Sequence, residues 1–358
     1  MSNMKVALVY DRVNKWGGAE RLLLSLKKIF PNAPLFTSVY HSRASWASKF
    51  NIKTSFLQEL PFASSFHEGF AALMPIAFEN FSFDDYDVVI SITSEAAKGV
   101  ITKPGTLHIC YCLTPTRYLW SGYNTYFKNS YLRILSKPLV FYLKTWDRIA
   151  AQRPDHFIAI SKEVKGRIKK YYGRESKVIY PPQTLLEPGS INPSKGKYFL
   201  IVSRLVPYKN LELAVKACSD LNLPLKVVGK GSQEIFLKRI AGKTVQFAGE
   251  LTDEELKNYY KNCKALIFPG IEDLGLTMIE AQAFGKPVIA LKKGGALEIV
   301  NEKTGIFFDE WTVDSLKSAL VNFDESRYNT QDCFENARRF SFKHFENNLN
   351  EFIQQNFV

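Results

Sequence analysis

Apolar residues in this chain gather in short unbroken runs rather than in the alternation of a sheet with one wet face. "KVALVYD" at residues 5–11, "DVVI" at 87–90, "KYFLIVSR" at 197–204, "LKVV" at 225–228 and "ALIFPG" at 265–270 are such runs. A strand apolar on both sides suits a parallel sheet covered by helices. Between the runs lie segments of helical periodicity, for example "LTMIEAQAF" at 276–284, which Gly285 and Pro287 bring to an end. Strands alternating with helices predict a doubly wound α/β architecture, and two runs, at 5–11 and 197–204, open similar units. Between the units "YPPQTLLEPGSINPSKGK", residues 180–197, is dense in Pro, Gly and Ser, the composition of an interdomain connection. The expected organisation is a first domain over 1–183, a linker over 184–196 and a second domain over 197–340. The final segment, 341–358, is amphipathic and is a candidate to pack back across the boundary onto the first domain.

The polar residues that interrupt this pattern fall just after the strands. Gly17 and Gly18 follow the first run, Ser91 and Ser94 follow "DVVI", Arg204 follows "YFLIVS", Gly229 and Gly231 follow "LKVV", and Glu272 follows "ALIF". In a parallel sheet all carboxyl ends share one edge, where open α/β sheets bind ligands. Two such domains facing one another would line a single cleft closed by domain movement. Glu272 and Glu280 are separated by seven residues. On one regular helix they would point about 80° apart, so the reading puts Glu272 in a loop and Glu280 one turn into a helix. Arg204 and Lys209 flank Pro207 and suit a diphosphate, Arg through its planar fork and Lys as a point charge; solvated surface cations are the plainer reading. "KWGGAER", 15–21, lacks the G-x-G-x-x-G spacing of a dinucleotide site and fits an ordinary tight turn equally well. Asp85 and Asp87 precede their strand, at the wrong end for the cleft, and read as turn residues; no metal is called for.

Length and charge narrow the classes. At 358 residues the chain accommodates two domains, each with its own core. The opening "MSNMKVALVYD" has too short an apolar run for a secretory signal, and no stretch approaches the roughly 18 to 20 apolar residues of a spanning helix. Five cysteines without regular spacing suggest reduced thiols in the cytoplasm; Cys110 and Cys112 lack a second pair to complete a zinc site and read as core. The net charge of +12 implies an acidic partner. From Lys128 to Lys177 there are thirteen Lys or Arg against four Asp or Glu. No nucleic-acid-binding motif accompanies them, so no nucleic acid is expected. The stretch "YFKNSYLRILSKPLVFYLKTWDR" mixes bases with aromatics; a surface lying on anionic lipid and an amphipathic helix with a solvated basic face both fit it.

"SRLVPYKN", "VVGKGSQ", "VQFAGELTDEEL" and "FPGIEDLGLTMIEAQAFGKPVIA" follow one another in an order and spacing that resembles the donor domain of retaining glycosyltransferase family 4, whose GT-B fold pairs two Rossmann-like domains. "GGAER", "CYCLTPTRYLW" and "FIAISKEVKGRIKKYYG" are similar to the amino-terminal domain of its bacterial, mannosyltransferase-like branch. The resemblance implies that Glu280 holds the ribose of a nucleotide sugar, that Glu272 and the loop to Gly275 bind the donor sugar, and that Arg204 and Lys209 grip the diphosphate. It further implies that Leu276 and Thr277 offer helix amino-terminal N–H groups, and that Gly17, Gly18 and Gly229 line the donor site. No protein nucleophile and no cofactor or metal is implied. The resemblance makes 1–183 the acceptor-binding domain and 197–340 the nucleotide-sugar donor-binding domain, and the acceptor would be a lipid-linked saccharide of a surface glycan, met at the inner face of the cell membrane.

Members of the family usually carry His where this chain has Leu113, and that His contacts the donor sugar near its 6-hydroxyl. Leu offers no hydrogen bond there, so the sequence points to a 6-deoxy donor or pentose, or to another group replacing the His with GDP-mannose retained. Arg117 matches an Arg of the family in the same segment and suits either the sugar or an acceptor phosphate. "YPPQT" also departs from the "PPVD" common in the family. Two other classes stand beside this reading: a catalytically silent nucleotide-sugar-binding subunit that recruits a partner enzyme, encouraged by Leu113, and a nicotinamide oxidoreductase, which lacks the glycine fingerprint.

Overall fold

Every apolar run becomes a strand in the structure, a computed structural model that describes residues 4–123, 130–190 and 194–357. Residues 124–129, which include the start of the basic, aromatic stretch, and residues 191–193 of the expected linker lie outside the described residues. The first sheet contains β1 (Val6–Tyr10), β2 (Leu35–Thr37), β3 (Ile52–Thr54), β4 (Val88–Thr93), β5 (Leu107–Cys112), β6 (His156–Ala159) and β7 (Lys177–Val178). Their order is β3-β2-β1-β4-β5-β6-β7, parallel throughout. The second sheet contains β8 (Tyr198–Val202), β9 (Leu225–Val228), β10 (Val245–Gly249), β11 (Cys263–Phe268), β12 (Val288–Leu291) and β13 (Gly305–Phe308), in the order β10-β9-β8-β11-β12-β13, again all parallel.

In both sheets the chain first winds outward from the opening strand and then crosses back to wind the other way. The crossing makes β1/β4 and β8/β11 the switch points, where successive connections leave on opposite faces and open a crevice at the carboxyl edge. The runs are buried because helices cover both faces. Ile201, Val227, Ile267 and Ile289 form one core with Leu211, Val215 and Leu316, and Val9, Phe36 and Val89 form another with Phe78 and Val100. Each such side chain contributes about 1.5 to 3 kcal/mol on leaving water. Cys110 and Cys112 point into this interior from β5, and all five cysteines are free and buried.

The chain divides into two compact units, Met1–Tyr180 with Glu346–Val358, and Pro181–Phe345. The described parts of the segment expected to be a linker are fastened to the second unit. The backbone N–H of Gln183 donates to Phe340 O at 3.0 Å, Ser194 Oγ donates to Lys261 O at 2.9 Å, and Lys286 Nζ donates to Ser194 O at 2.6 Å. Helix Phe342–Asn356 begins in the second unit and ends in the first, where Leu349 and Ile353 are buried and Phe352 meets the ring of His156 edge-on at 5.8 Å. Among the described residues no helix is long and apolar enough to cross a membrane.

Candidate active site

At the β8/β11 switch point of the second unit, the loop leaving β8 turns through the short helical segment Pro207–Lys209, where proline presets the first φ. Asn210 then takes the left-handed conformation that lets helix Leu211–Asp220 start in a new direction. The turn carries Lys209 to the loop after β11, and its ammonium forms an ion pair with Glu272 Oε1, each side chain only about one-sixth exposed (16% and 17%). Arg204 stays on the exposed side of the same loop; its Nη2 donates to Tyr208 Oη at 2.6 Å. Lys209 also lies over the Tyr208 ring, 5.4 Å from its centroid. The two cations predicted for a diphosphate thus share one loop, one paired with Glu272 and one presented outward through Tyr208.

The Glu272 loop is held from below. Glu272 O accepts from the N–H of Gly295 at 2.9 Å, and Pro269 O accepts from Trp311 Nε1 at 3.2 Å. Gly275 then caps helix Leu276–Ala283 with φ +97°, and a Cβ there would lie 2.4 Å from Met278 Cε. The left-handed φ favours glycine there, and any side chain would also have to displace the end of Met278 and crowd the Phe268 ring. Leu276 and Thr277, half-buried, form the first turn, whose N–H groups have no intrahelical acceptor. Gly229, after β9, has φ +126°, and a Cβ would fall 2.0 Å from Ser203 O, so the β9 turn is pressed against the backbone that leads to Arg204.

Glu280 has different surroundings. It is 5% exposed, and its Oε2 accepts from Tyr260 Oη at 2.7 Å. Tyr260 is fully buried and stacked on Phe284, and it sits on helix Asp253–Asn262, whose start is set by a capping box of Thr252 and Glu255. One carboxylate is therefore neutralised by an ammonium and the other is oriented by a phenol. Tyr208 and Tyr260 were not anticipated from the sequence; the first lies inside the quoted "SRLVPYKN", but a tyrosine beside two cations gave no separate signal.

The first unit has its own cluster at the β1/β4 switch point. Asp11, directly after β1, accepts from Thr93 Oγ1 at 2.9 Å and from the N–H groups of Ser94, Ala96 and Ala97 at 2.7, 2.9 and 2.8 Å. Arg12 Nη1 pairs with Glu95 Oε1 at 2.5 Å. Burial pushes the Glu95 carboxyl above its ordinary value, and Arg12 offsets only part of that. Ser91 does not follow its strand as expected: β4 runs on through the β-branched Ile92 and Thr93, so Ser91 is interior, its Oγ 2.8 Å from His108 Nε2. Only Ser94 reaches the edge.

Gly17 precedes helix Gly18–Ile29 in an extended conformation, and that helix is tied to β1 by Tyr10 Oη donating to Glu20 Oε1 at 2.5 Å. Leu113 extends the β5 pairing by donating its N–H to Thr93 O at 2.8 Å. Arg117, half-buried, lies between Thr116 and Trp120, which donate to Asp147 Oδ1 and Oδ2 at 3.0 and 2.7 Å. Asp87 accepts from the Lys5 N–H at 2.8 Å at the amino end of β4. Among the described residues no group of three or more His, Cys, Asp or Glu is arranged to hold a metal ion.

Residues 182–340 match the family described as Glycosyl transferases group 1. The chain is 32% identical over 207 residues to alpha-1,3/1,6-mannosyltransferase ALG2 of Dictyostelium discoideum, covering 48% of this chain and 49% of that protein. It is 33% identical over 135 residues to a GDP-mannose-dependent monoacylated alpha-(1-6)-phosphatidylinositol monomannoside mannosyltransferase of Corynebacterium glutamicum, covering 33% and 35%. The chain spans about half the length of the curated relatives it matches, or less. Its backbone is similar to Anabaena HepE crystallised with UDP and glucose, with a TM-score of 0.70 at 19% identity over 98% of this chain and 100% of that one. The fold is GT-B, built from two Rossmann-like units, and the second unit is related in sequence to glycosyltransferases.

Proposed function

We propose that this protein is a retaining glycosyltransferase of family 4 that takes a nucleoside-diphosphate sugar at the carboxyl edge of its second sheet and passes the sugar to a lipid-linked saccharide. The observation that carries the reading is the meeting of Lys209 with Glu272 at the β8/β11 switch point, beside Arg204 and the glycine-capped helix, within the segment that matches the family. Glu280, steadied by Tyr260, accepts the ribose hydroxyls; Glu272 and the loop to Gly275 accept those of the sugar. Arg204, Lys209 and the first N–H groups of helix Leu276–Ala283 face the diphosphate. As the bond from C1 to the phosphate oxygen breaks, its electron pair leaves with the diphosphate. The acceptor hydroxyl oxygen bonds to C1 from the side the leaving group vacates, and a phosphate oxygen takes the hydroxyl proton. Cations fixed where that charge collects stabilise the transition state more than the ground state.

The lipid side of the proposal rests on the helix Lys137–Ala150. Val140, Leu143, Asp147 and Ala150 are buried on one face, while Phe141, Tyr142 and Ile149 are exposed on the other. Ile134 and Leu135 are exposed just before it, with Arg133 and Lys137 alongside. An apolar face edged by cations suits the anionic headgroups of the inner membrane leaflet. A calorimetric panel of GDP-mannose and GDP-, UDP- and dTDP-linked 6-deoxy sugars, followed by turnover of the tightest binder with short lipid-linked acceptors, tests the function. Saturable donor binding that Arg204→Ala and Glu280→Ala both weaken is the expected result. Normal affinity and turnover in both variants would defeat the site assignment, and donor binding without turnover on any acceptor would favour a silent binding subunit.

A further inference from the structure

The first unit holds an open cavity of about 400 Å³ that none of the assignments above uses. One wall is Asn14, Lys15 and Trp16, from the loop between β1 and helix Gly18–Ile29; the other is Arg43 and Ala44, from the loop after β2, with Ser45 and Trp46 from the short 3-10 helix Ser45–Lys49 that follows. Its size falls in the range of about 300 to 1,000 Å³ common to small-molecule sites. The walls are locked together: Trp46 Nε1 donates to Lys15 O at 2.8 Å, and Trp46 packs edge-on against Phe50 at 6.1 Å. Asn14 is fixed from behind, its amide nitrogen 3.4 Å from Ser64 O and 3.2 Å from His67 Nδ1. His67 is buried, and among the described residues its Nε2 has no hydrogen-bond partner.

The lining selects a chemistry. Trp16 and Trp46 have centroids 6.1 Å apart with their planes at 49°. Sandwiching a flat ring needs about 7 to 8 Å between parallel planes, so this wedge offers an aromatic face rather than a slot for a base. Trp16 remains 46% exposed, with Arg21 over its ring at 5.5 Å. Both charged residues of the lining, Lys15 and Arg43, are cationic. Arg43 is exposed, and among the described residues no carboxylate pairs with its guanidinium. A puckered ring with apolar C–H faces rests on an indole, and a planar fork beside it takes two oxygens of one anion.

We propose that this cavity binds an anionic saccharide, a pyranose ring lying on Trp16 with its carboxylate or phosphate held by Arg43 and Lys15. On the reading given under Proposed function, on which this role rests, the saccharide is part of the acceptor. The test uses the full chain with excess nucleoside diphosphate present to occupy the second unit. Methyl glucuronide, mannose 1-phosphate and neutral methyl mannoside are titrated by tryptophan fluorescence and calorimetry against wild type, Arg43→Gln and Trp16→Ala, with folding checked by thermal melts. Wild type should bind at least one charged probe about tenfold tighter than the neutral one, the gain of a charge-assisted pair. Arg43→Gln should erase that preference, and Trp16→Ala should weaken every saccharide that binds. A better response to glucuronide than to mannose 1-phosphate identifies an acidic sugar as the source of the charge, and the reverse identifies a sugar phosphate. Failure of all three probes to bind, equal binding of charged and neutral probes, or a preference that survives Arg43→Gln overturns the proposal. Nucleotide binding measured separately should be unaffected in both variants; its absence from wild type would sink the transferase reading and leave this pocket standing.

Discussion

Replacing Asp147 by alanine should destabilise the first unit more than any substitution on its surface. Lys98 and Asp147 are each 1% exposed, with Nζ 2.5 Å from Oδ1, and they lie 49 residues apart in sequence. Asp147 also accepts from Thr116 Oγ1 and Trp120 Nε1, while Lys98 donates to Glu95 O as well. Burial disfavours the Lys98 ammonium, but the charge and hydrogen bond of Asp147 together outweigh it, so Lys98 sits above its ordinary value. Asp147→Ala strands that ammonium and two donors, a loss of about 3 to 5 kcal/mol. The paired replacement Lys98→Met with Asp147→Leu removes both charges and should recover all but about 1 to 2 kcal/mol. Four of the five tryptophans, Trp16, Trp46, Trp120 and Trp146, belong to the first unit, so urea unfolding followed by fluorescence reports on it. A loss below about 1 kcal/mol, or a double variant no more stable than the single one, would refute the reasoning. Because Asp147 holds Thr116 and Trp120, which bracket Arg117 in the chain, the single variant should also disturb whatever Arg117 contacts.

Other consequences can be checked independently. Burial, then Arg153 and Arg174, lowers His108 from 6.5 to about 3, so the unfolded chain takes its proton first. Its contribution is complete above pH 6.5 and drains as pH falls toward 3, about 2 to 3 kcal/mol by roughly pH 4.5; His108→Asn should flatten that limb in urea midpoints taken at both pH values. On the proposed function, Lys209→Met removes the ammonium beside Glu272 and should raise the barrier to transfer by about 3 to 4 kcal/mol, seen as a loss in kcat/KM. Tyr260→Phe leaves Glu280 without its phenolic donor and should cost about 1 kcal/mol in nucleoside-diphosphate affinity while binding of inorganic pyrophosphate is unchanged, which calorimetry separates. Phe141→Ser with Ile149→Ser should abolish co-sedimentation with vesicles containing anionic lipid without moving the melting temperature, since both side chains are exposed.

What the chain encodes locally was open to reading before any coordinates. "KVALVYD", "LKVV" and "ALIF" become β1, β9 and β11 because a run apolar on both faces has few other places to go, and Arg204, Lys209 and Glu272 fall at carboxyl ends because the loops leaving those strands begin there. Local pattern is weakest where a strand continues through polar residues, as at Ser91, or where irregular backbone is packed down, as at Gln183 and Ser194. Tertiary structure alone decided the partners: Lys209 with Glu272, Tyr260 with Glu280, Lys98 with Asp147, and Asp11 with the turn that starts 82 residues away. The spacing of apolar positions specifies which face of an element leaves water. Which charge meets which depends on two distant loops arriving at the same edge of a sheet, and no periodicity within either loop carries that information.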